Sequence, residues 1–277
     1  MTSDRPEPLD RLRARIARLG APLCLGIDPH PDALPDELPR DVTGIERFAR
    51  GLVEAAAEHA VAVKVNVAFF EAFGSSGWAA LERLVADLPT DHFLVLDAKR
   101  GDIGSTAERY ATSLFGLLGA DAVTLSPYLG EDAVEPFLEY PGRVVYLVTR
   151  TSNPSAGTLQ DLPVGSAPLH EHVATWAAGR WADGRVGLVV GATAPAELAR
   201  LRRVVPGPAF LVPGVGAQEG DLAAALAHCH GTAAPGLVSI SRGIVAASRG
   251  DGWRTAAAVS AQSWLGRMQE AGATLPA

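Results

Sequence analysis

Asp97, Lys99, Arg100 and Asp102 crowd together directly after the apolar run Phe93–Leu96, in the stretch FLVLDAKRGDIG (93–104). A strand that only has to end needs a turn residue and no charges. Asp97 and Lys99 stand at i and i+2, so on a strand their side chains leave the same face. Gly101 then permits a sharp turn before Asp102. Lys64 closes the preceding apolar run, AVAVKVN (60–66), and runs adjacent in sequence usually pair. The expected result is Lys64, Asp97, Lys99 and Asp102, alternating in sign, within one mouth. The signs choose between two lysine chemistries. A Schiff-base lysine attacks as the neutral amine and needs desolvation or a neighbouring cation. Lys99 instead has two carboxylates close in sequence, which favour the ammonium form. Such a group is an acid and a poor nucleophile, so the pattern favours protonation of a carbanion over imine formation. The competing account is an ion-pair network that merely finishes a strand.

A second cluster can hold phosphate. PGVGAQ (213–218) follows the seventh apolar run, and SRGI (241–244) ends the eighth. Gly214 and Gly216 let backbone N–H groups approach an anion, and Arg242 offers a bidentate fork that lysine lacks. Asp28, Asn66, Ser152 and Gln218 also lie at or beyond strand ends. His170 with His172, and His228 with His230, fall in or beside helical stretches, where i and i+2 residues point apart. No further ligand group accompanies them, so no metal is expected. Phe69, Phe70 and Phe73 are expected to pack the second strand-and-helix unit.

These groups need a scaffold that gathers strand ends. Apolar runs recur at 23–29, 60–66, 93–100, 122–128, 144–152, 186–193, 209–216 and 237–244. Most are continuous and do not alternate, as in parallel strands buried on both faces. Helix-like segments intervene, among them IERFARGLVEAAAEHA (45–60) and DLAAALAHC (221–229). WRTAAAVSAQSWLGRMQEA (253–271) follows the last run, and the Arg-rich LDRLRARIARLG (9–20) precedes the first. The pattern predicts a single α/β domain over 1–277, a (β/α)8 TIM barrel with an extra N-terminal helix. Catalytic groups then belong at the C-terminal ends of the strands, with phosphate between the last two loops. The rival fold, a doubly wound sheet for a dinucleotide, rests on GVGAQEG (214–220), whose glycine spacing is one residue too long.

The 277 residues are 48% hydrophobic and 20% charged, an ordinary globular composition that can bury a large core. A net charge of −7 with no basic block argues against a nucleic-acid partner. Cys24 and Cys229 lack a C-x-x-C spacing and read as free thiols in a reducing compartment. The N-terminal stretch has no apolar core of the signal-peptide kind. No apolar run approaches the ~18 residues of a membrane helix. The expectation is a soluble, cytoplasmic protein with no membrane partner.

In these motifs the sequence resembles the orotidine 5′-phosphate decarboxylase family, particularly its longer bacterial class. DAKRGDIGSTA (97–107) carries the family's D-x-K-x-x-D signature and the threonine that follows it. GIDP (26–29), KVNVAFFEAFG (64–74), TSNP (151–154), VGAT (190–193), PGVGAQ (213–218) and SRGI (241–244) are similar in content and order. The resemblance spans roughly residues 20–250. It implies decarboxylation of orotidine monophosphate (OMP) to uridine monophosphate (UMP), the last step of pyrimidine nucleotide synthesis, without cofactor or metal. By position, Lys99 would donate the proton to C6, with Asp97 beside the departing carboxylate. Lys64 would orient Asp97 and a ribose hydroxyl, and Asp28 would bind the ribose. Asp102 and Thr106 would reach into the neighbouring subunit's site, which implies a homodimer with shared sites. Ser152 would contact the pyrimidine edge and Pro213 would line the base pocket. Gln218 and Arg242, with Gly216 and Gly243 in the same loops, would hold the phosphate. The sequence departs from the family at Glu219 and Ser155, where glycine is expected. The segment NPSAGTLQDLPVGSAP (153–168) is expected to be a lid. Metal-dependent relatives sharing the signature, namely sugar-phosphate decarboxylases and hexulose-phosphate synthases, are the enzymatic alternative. A catalytically silent binder of phosphorylated ligands is the non-enzymatic one.

Overall fold

Each apolar run becomes one strand. In the computed structural model, which describes residues 6–216 and 219–274, the strands are β1 (Leu23–Ile27), β2 (Ala62–Asn66), β3 (Phe93–Arg100) and β4 (Ala122–Leu125). They continue as β5 (Val144–Arg150), β6 (Val186–Val190), β7 (Phe210–Val212) and β8 (Leu237–Ile240). All pairings are parallel, follow chain order, and close β8 onto β1. The continuous apolar character of the runs has its cause here, because both strand faces are covered. One face packs inside the barrel, where Cys24, Ala62, Phe93, Val95, Ala122, Tyr146 and Leu211 form one cluster. The other face packs against the surrounding helices in a larger cluster.

The helices that matter for the site are α1 (Pro8–Leu19), α2 (Val42–Ala56), α3 (Gly74–Ala86) and α4 (Gly104–Ala111). They are followed by α5 (Leu169–Arg180), α6 (Pro195–Val204), α7 (Leu222–Cys229) and α8 (Trp253–Ala273). Helix α1 is the extra N-terminal helix, and it closes the end of the barrel opposite the strand C-termini. Its Leu12 is fully buried in the barrel's inner cluster. Arg11 pairs with Asp121 at 2.6 Å, just ahead of β4, and Arg15 donates to the Ala60 carbonyl at 2.6 Å, just ahead of β2. Gly20 ends α1 in the left-handed region, its N–H returning to the Ile16 carbonyl.

Register sets the height of each inward side chain. Lys64 lies level with Gly26 on one side and Val95 on the other, while Asp97 lies level with Asn66, one inward position higher. Apolar residues therefore fill the lower barrel and the charges stand above them. The segment 153–168 is not a bare loop: it holds the short helix Gly157–Gln160 and a hairpin pairing Pro163–Val164 with Ala167–Pro168. Among the described residues no helix is long and apolar enough to cross a membrane.

Candidate active site

A cavity of about 440 Å³ opens at the C-terminal ends of the strands. Residues from most of the eight strands or the loops after them reach its wall, including Asp28, Lys64, Asp97, Lys99, Ser152, Pro213 and Arg242. Its volume falls in the range of small-molecule sites, about 300–1,000 Å³.

Asp97 is the centre of the charged group. Lys64 Nζ lies 3.1 Å from Oδ2, Lys99 Nζ lies 2.6 Å from Oδ1, and the Thr124 hydroxyl donates to Oδ1 at 2.8 Å. The two lysines differ in setting: the Lys64 side chain is 6% exposed and that of Lys99 is 50% exposed. Burial alone would push the Asp97 carboxyl up, but Lys64, Lys99 and the Thr124 hydroxyl hold it well below the usual carboxylate range. Burial alone would likewise pull Lys64 down, but Asp97 and Asp28 outweigh it and raise the ammonium above the ordinary lysine value. Asp28, also largely buried, is held below its ordinary value by Lys64. The array is a row of fixed charges of which Lys64 and Asp97 are sheltered from water, where electrostatic effects exceed those in solution, while Lys99 extends into the open cavity. Inside the barrel burial pushes the Cys24 thiol up to about 12, and at the end of α7 it pushes the Cys229 thiol up to about 12, so both are inert structural thiols.

The way Lys99 reaches Asp97 differs from plain strand alternation. Lys99 has φ +46°, in the left-handed region, and the β3–β4 register shifts between Leu96 and Arg100. The chain bulges here. A left-handed L-residue costs about 1–2 kcal/mol and persists only where its surroundings hold it. Three contacts do so. The Lys99 N–H donates to Thr124 Oγ1 at 3.0 Å, Arg100 Nη1 donates to the Ala98 carbonyl at 2.9 Å, and the Ser126 N–H donates to the Arg100 carbonyl at 2.7 Å. Arg100 is itself gripped by Glu71 and lies over the Tyr110 ring.

Of the four charges expected in one mouth, Lys64, Asp97 and Lys99 line the cavity. Asp102 does not line the cavity of its own chain. Its Oδ1 instead accepts the Ile103 N–H at 2.8 Å, just before α4. Thr106 is exposed on α4 and also lies outside that cavity.

On the opposite side Gly214, Val215, Ser241 and Arg242 line the cavity, with Arg242 opening the short helix Arg242–Val245 after β8. Gln218 lies outside the described residues. Gly216 and Gly243 are not wall residues; both pack against Trp264 of α8. A Cβ on Gly216 would come 3.0 Å from the indole, and one on Gly243 would come 2.8 Å from Nε1. Their lack of a side chain lets α8 support the two loops from behind. Glu219, where the family resemblance expects glycine, has φ +60°. The backbone shape therefore persists although the residue suited to it is absent. Ser155 carries no such strain, and its hydroxyl accepts from Asn153 Nδ2 at 3.1 Å.

Phe70 is core and Phe69 and Phe73 pack against it, as expected, and Phe69 is also a wall residue that packs edge-on against His30 with ring centroids 4.4 Å apart. His30, Phe69 and Thr124 join the wall and Trp264 packs behind it, beyond the site residues that the motifs single out. Thr124 and Ser239 carry a readable signal, since each is the one hydroxyl in an otherwise apolar strand, β4 and β8. His170 and His172 sit on α5 and face the backbone carbonyls of Gln160 and Val164. Among the described residues no group of three or more His, Cys, Asp or Glu side chains could hold a metal ion.

Comparison with known proteins agrees with this geometry. The sequence profile of the orotidine 5′-phosphate decarboxylase / HUMPS family matches residues 21–254. An orotidine 5′-phosphate decarboxylase of Roseiflexus castenholzii is 51% identical over 243 residues, covering 87% of this chain and 89% of its own. One from Herpetosiphon aurantiacus is 42% identical over 259 residues, covering 93% and 96%. The structure of Leishmania donovani OMP decarboxylase superposes with a TM-score of 0.81 at 39% identity, over 96% of this chain and 99% of that one. Barrel, charged array and relatives lead to one conclusion: the chain belongs to the orotidine 5′-phosphate decarboxylase / HUMPS family.

Proposed function

We propose that this chain decarboxylates OMP to UMP and CO2 without cofactor or metal, with Lys99 as the acid. The observation that carries the reading is the Lys64–Asp97–Lys99 row, spaced at 3.1 and 2.6 Å, in a cavity that also presents Arg242. In the reaction the bond from C6 to the carboxylate breaks, CO2 leaves, and the electron pair stays on C6 in the plane of the ring. The π system cannot delocalise it there. A cation held against that position lowers the barrier as charge develops. The Lys99 Nζ–H proton then passes to C6, and the neutral amine regains a proton from water. Asp97, ionised under neutral conditions, holds Lys99 in line and repels the carboxylate that must depart. Lys64 keeps Asp97 charged and oriented, and Asp28 receives the ribose. Arg242, with Gly214 and Val215, grips the phosphate and contributes binding energy remote from C6. Ser152 and Pro213 border the base, and Gln218 belongs to the phosphate loop.

The active form is a homodimer with shared sites. Asp102 and Thr106 do not line their own cavity, and Ile103 between them is 53% exposed. An exposed apolar side chain beside Asp102 fits a subunit contact that carries Asp102 to a second cavity. The buried free thiols of Cys24 and Cys229 fit a reducing, cytoplasmic setting. The test is the loss of OMP absorbance with EDTA present, for the wild type and for Lys99→Ala. Metal-independent turnover that Lys99→Ala abolishes, with UMP binding retained, supports the reading. Near-normal turnover by Lys99→Ala excludes Lys99 as the acid, and loss of wild-type turnover in EDTA points to the metal-dependent relatives.

A further inference from the structure

We infer that Thr124 is a positioning residue for Lys99: its hydroxyl ties the backbone of the proton-donating lysine to the carboxylate that lysine faces. The inference rests on the reading of Lys99 as the acid. Thr124 comes from β4, is 1% exposed, and stands at an inward position level with the bulge in β3. Its Oγ1 accepts the Lys99 N–H at 3.0 Å and donates to Asp97 Oδ1 at 2.8 Å. A hydroxyl has one proton. Because the oxygen already receives the Lys99 N–H, that proton is committed to Asp97, and both bonds have fixed direction. Asp97 Oδ1 in turn receives Lys99 Nζ at 2.6 Å, so hydroxyl, carboxylate and lysine form a closed ring of contacts.

The ring has a mechanical consequence. Lys99 holds a left-handed φ of +46° that its own side chain disfavours. Without the hydroxyl, its N–H loses its partner and Asp97 loses one of three donors, while the bulge keeps only the Arg100 and Ser126 contacts on its flanks. The backbone can then relax toward ordinary strand geometry and carry Nζ away from the reacting carbon. A displacement of about 1 Å at a reacting group costs on the order of 10²-fold in rate. Thr124 lies at the level of the charged row, away from the Gly214 and Arg242 loops, so nucleotide affinity should be spared.

The experiment compares wild type, Thr124→Val, which replaces the hydroxyl by a methyl group, and Thr124→Ser, which keeps it. Turnover of OMP in EDTA and binding of UMP by calorimetry are measured for each. The expected result is a kcat for Thr124→Val lowered by about 10- to 100-fold, with KM and UMP affinity within about 3-fold of wild type. Thr124→Ser should recover kcat to within about 3-fold of wild type, which separates loss of the hydroxyl from loss of packing. Where Thr124→Val does not fold, Thr124→Ala removes the hydroxyl without added bulk and gives the same contrast. Unchanged kcat in Thr124→Val overturns the inference, as does a parallel loss of UMP binding or equal loss in Thr124→Ser. A wild type that never consumes OMP sinks the reading of the site itself, a different failure from a wild type that works and a valine variant that works equally well.

Discussion

Two lysines share one carboxylate, and their burial predicts that removing them has unequal cost. Lys64 is 6% exposed and pairs with Asp97 at 3.1 Å. At that distance an effective dielectric of about 20 gives an attraction of about 5 kcal/mol. Measured losses on breaking buried pairs run at about 3–5 kcal/mol, because the remaining charge stays buried without its partner. Lys64→Met should therefore destabilise the fold by about that amount. Unfolding entropy scales at about 2 cal/mol/K per residue, so for 277 residues the shift in Tm is about 5–9 °C. Lys99 pairs with the same carboxylate at 2.6 Å but is 50% exposed, and water already screens it. Lys99→Met should cost no more than about 1 kcal/mol, about 2 °C. The gap between wild type and Lys64→Met also has a set pH dependence. The Asp97 contribution, from a carboxyl held below its ordinary value, is present above about pH 4 and is lost as pH falls through the folded value. The Lys64 contribution, from an ammonium raised above its ordinary value, is present below about pH 10 and is lost as pH rises through the folded value. The gap should be flat from about pH 5 to 9 and narrow in acid. Scanning calorimetry across that range reads both quantities. Equal losses in the two variants, or a gap that widens in acid, would refute the argument from burial.

Glu219→Gly should stabilise the protein by about 0.5–1 kcal/mol, since relief at φ +60° exceeds the extra freedom glycine brings to the unfolded chain; no gain in chemical denaturation would show that the loop carries no strain. If Arg242 grips the phosphate as proposed, Arg242→Ala should weaken binding of UMP by at least 10-fold while leaving uridine binding within about 2-fold. Equal losses for both ligands in a titration would remove that role. If sites are shared, mixing inactive Lys99→Ala with inactive Asp102→Ala and allowing subunit exchange should restore about a quarter of wild-type activity. Mixed dimers contain one site with both substitutions and one with neither, so absence of any recovery under verified exchange would mean that Asp102 serves its own chain or none.

The barrel is legible in the sequence because a strand covered on both faces has no polar side to display, and most of the eight appear as mainly apolar runs without alternation. The Lys64–Asp97–Lys99 row is legible for a related reason: its members sit on consecutive strands, whose pairing follows chain order. What escapes is whatever depends on backbone shape or on distant elements. Nothing in a lysine announces a left-handed φ, so the bulge at Lys99 is invisible before folding. Gly216 and Gly243 look like phosphate-loop glycines, yet their bareness answers to Trp264 on α8, a contact set by packing at the far end of the chain. One of the missed residues nonetheless left a physical trace. Thr124 and Ser239 interrupt strands that are otherwise apolar, and a buried hydroxyl must find a partner or cost about 1–3 kcal/mol. The barrel interior supplies few such partners apart from the charges at its mouth. A lone hydroxyl at an inward strand position is thus a sign of what holds a charged site in shape, and for Thr124 the partner is the carboxylate at the centre of the array.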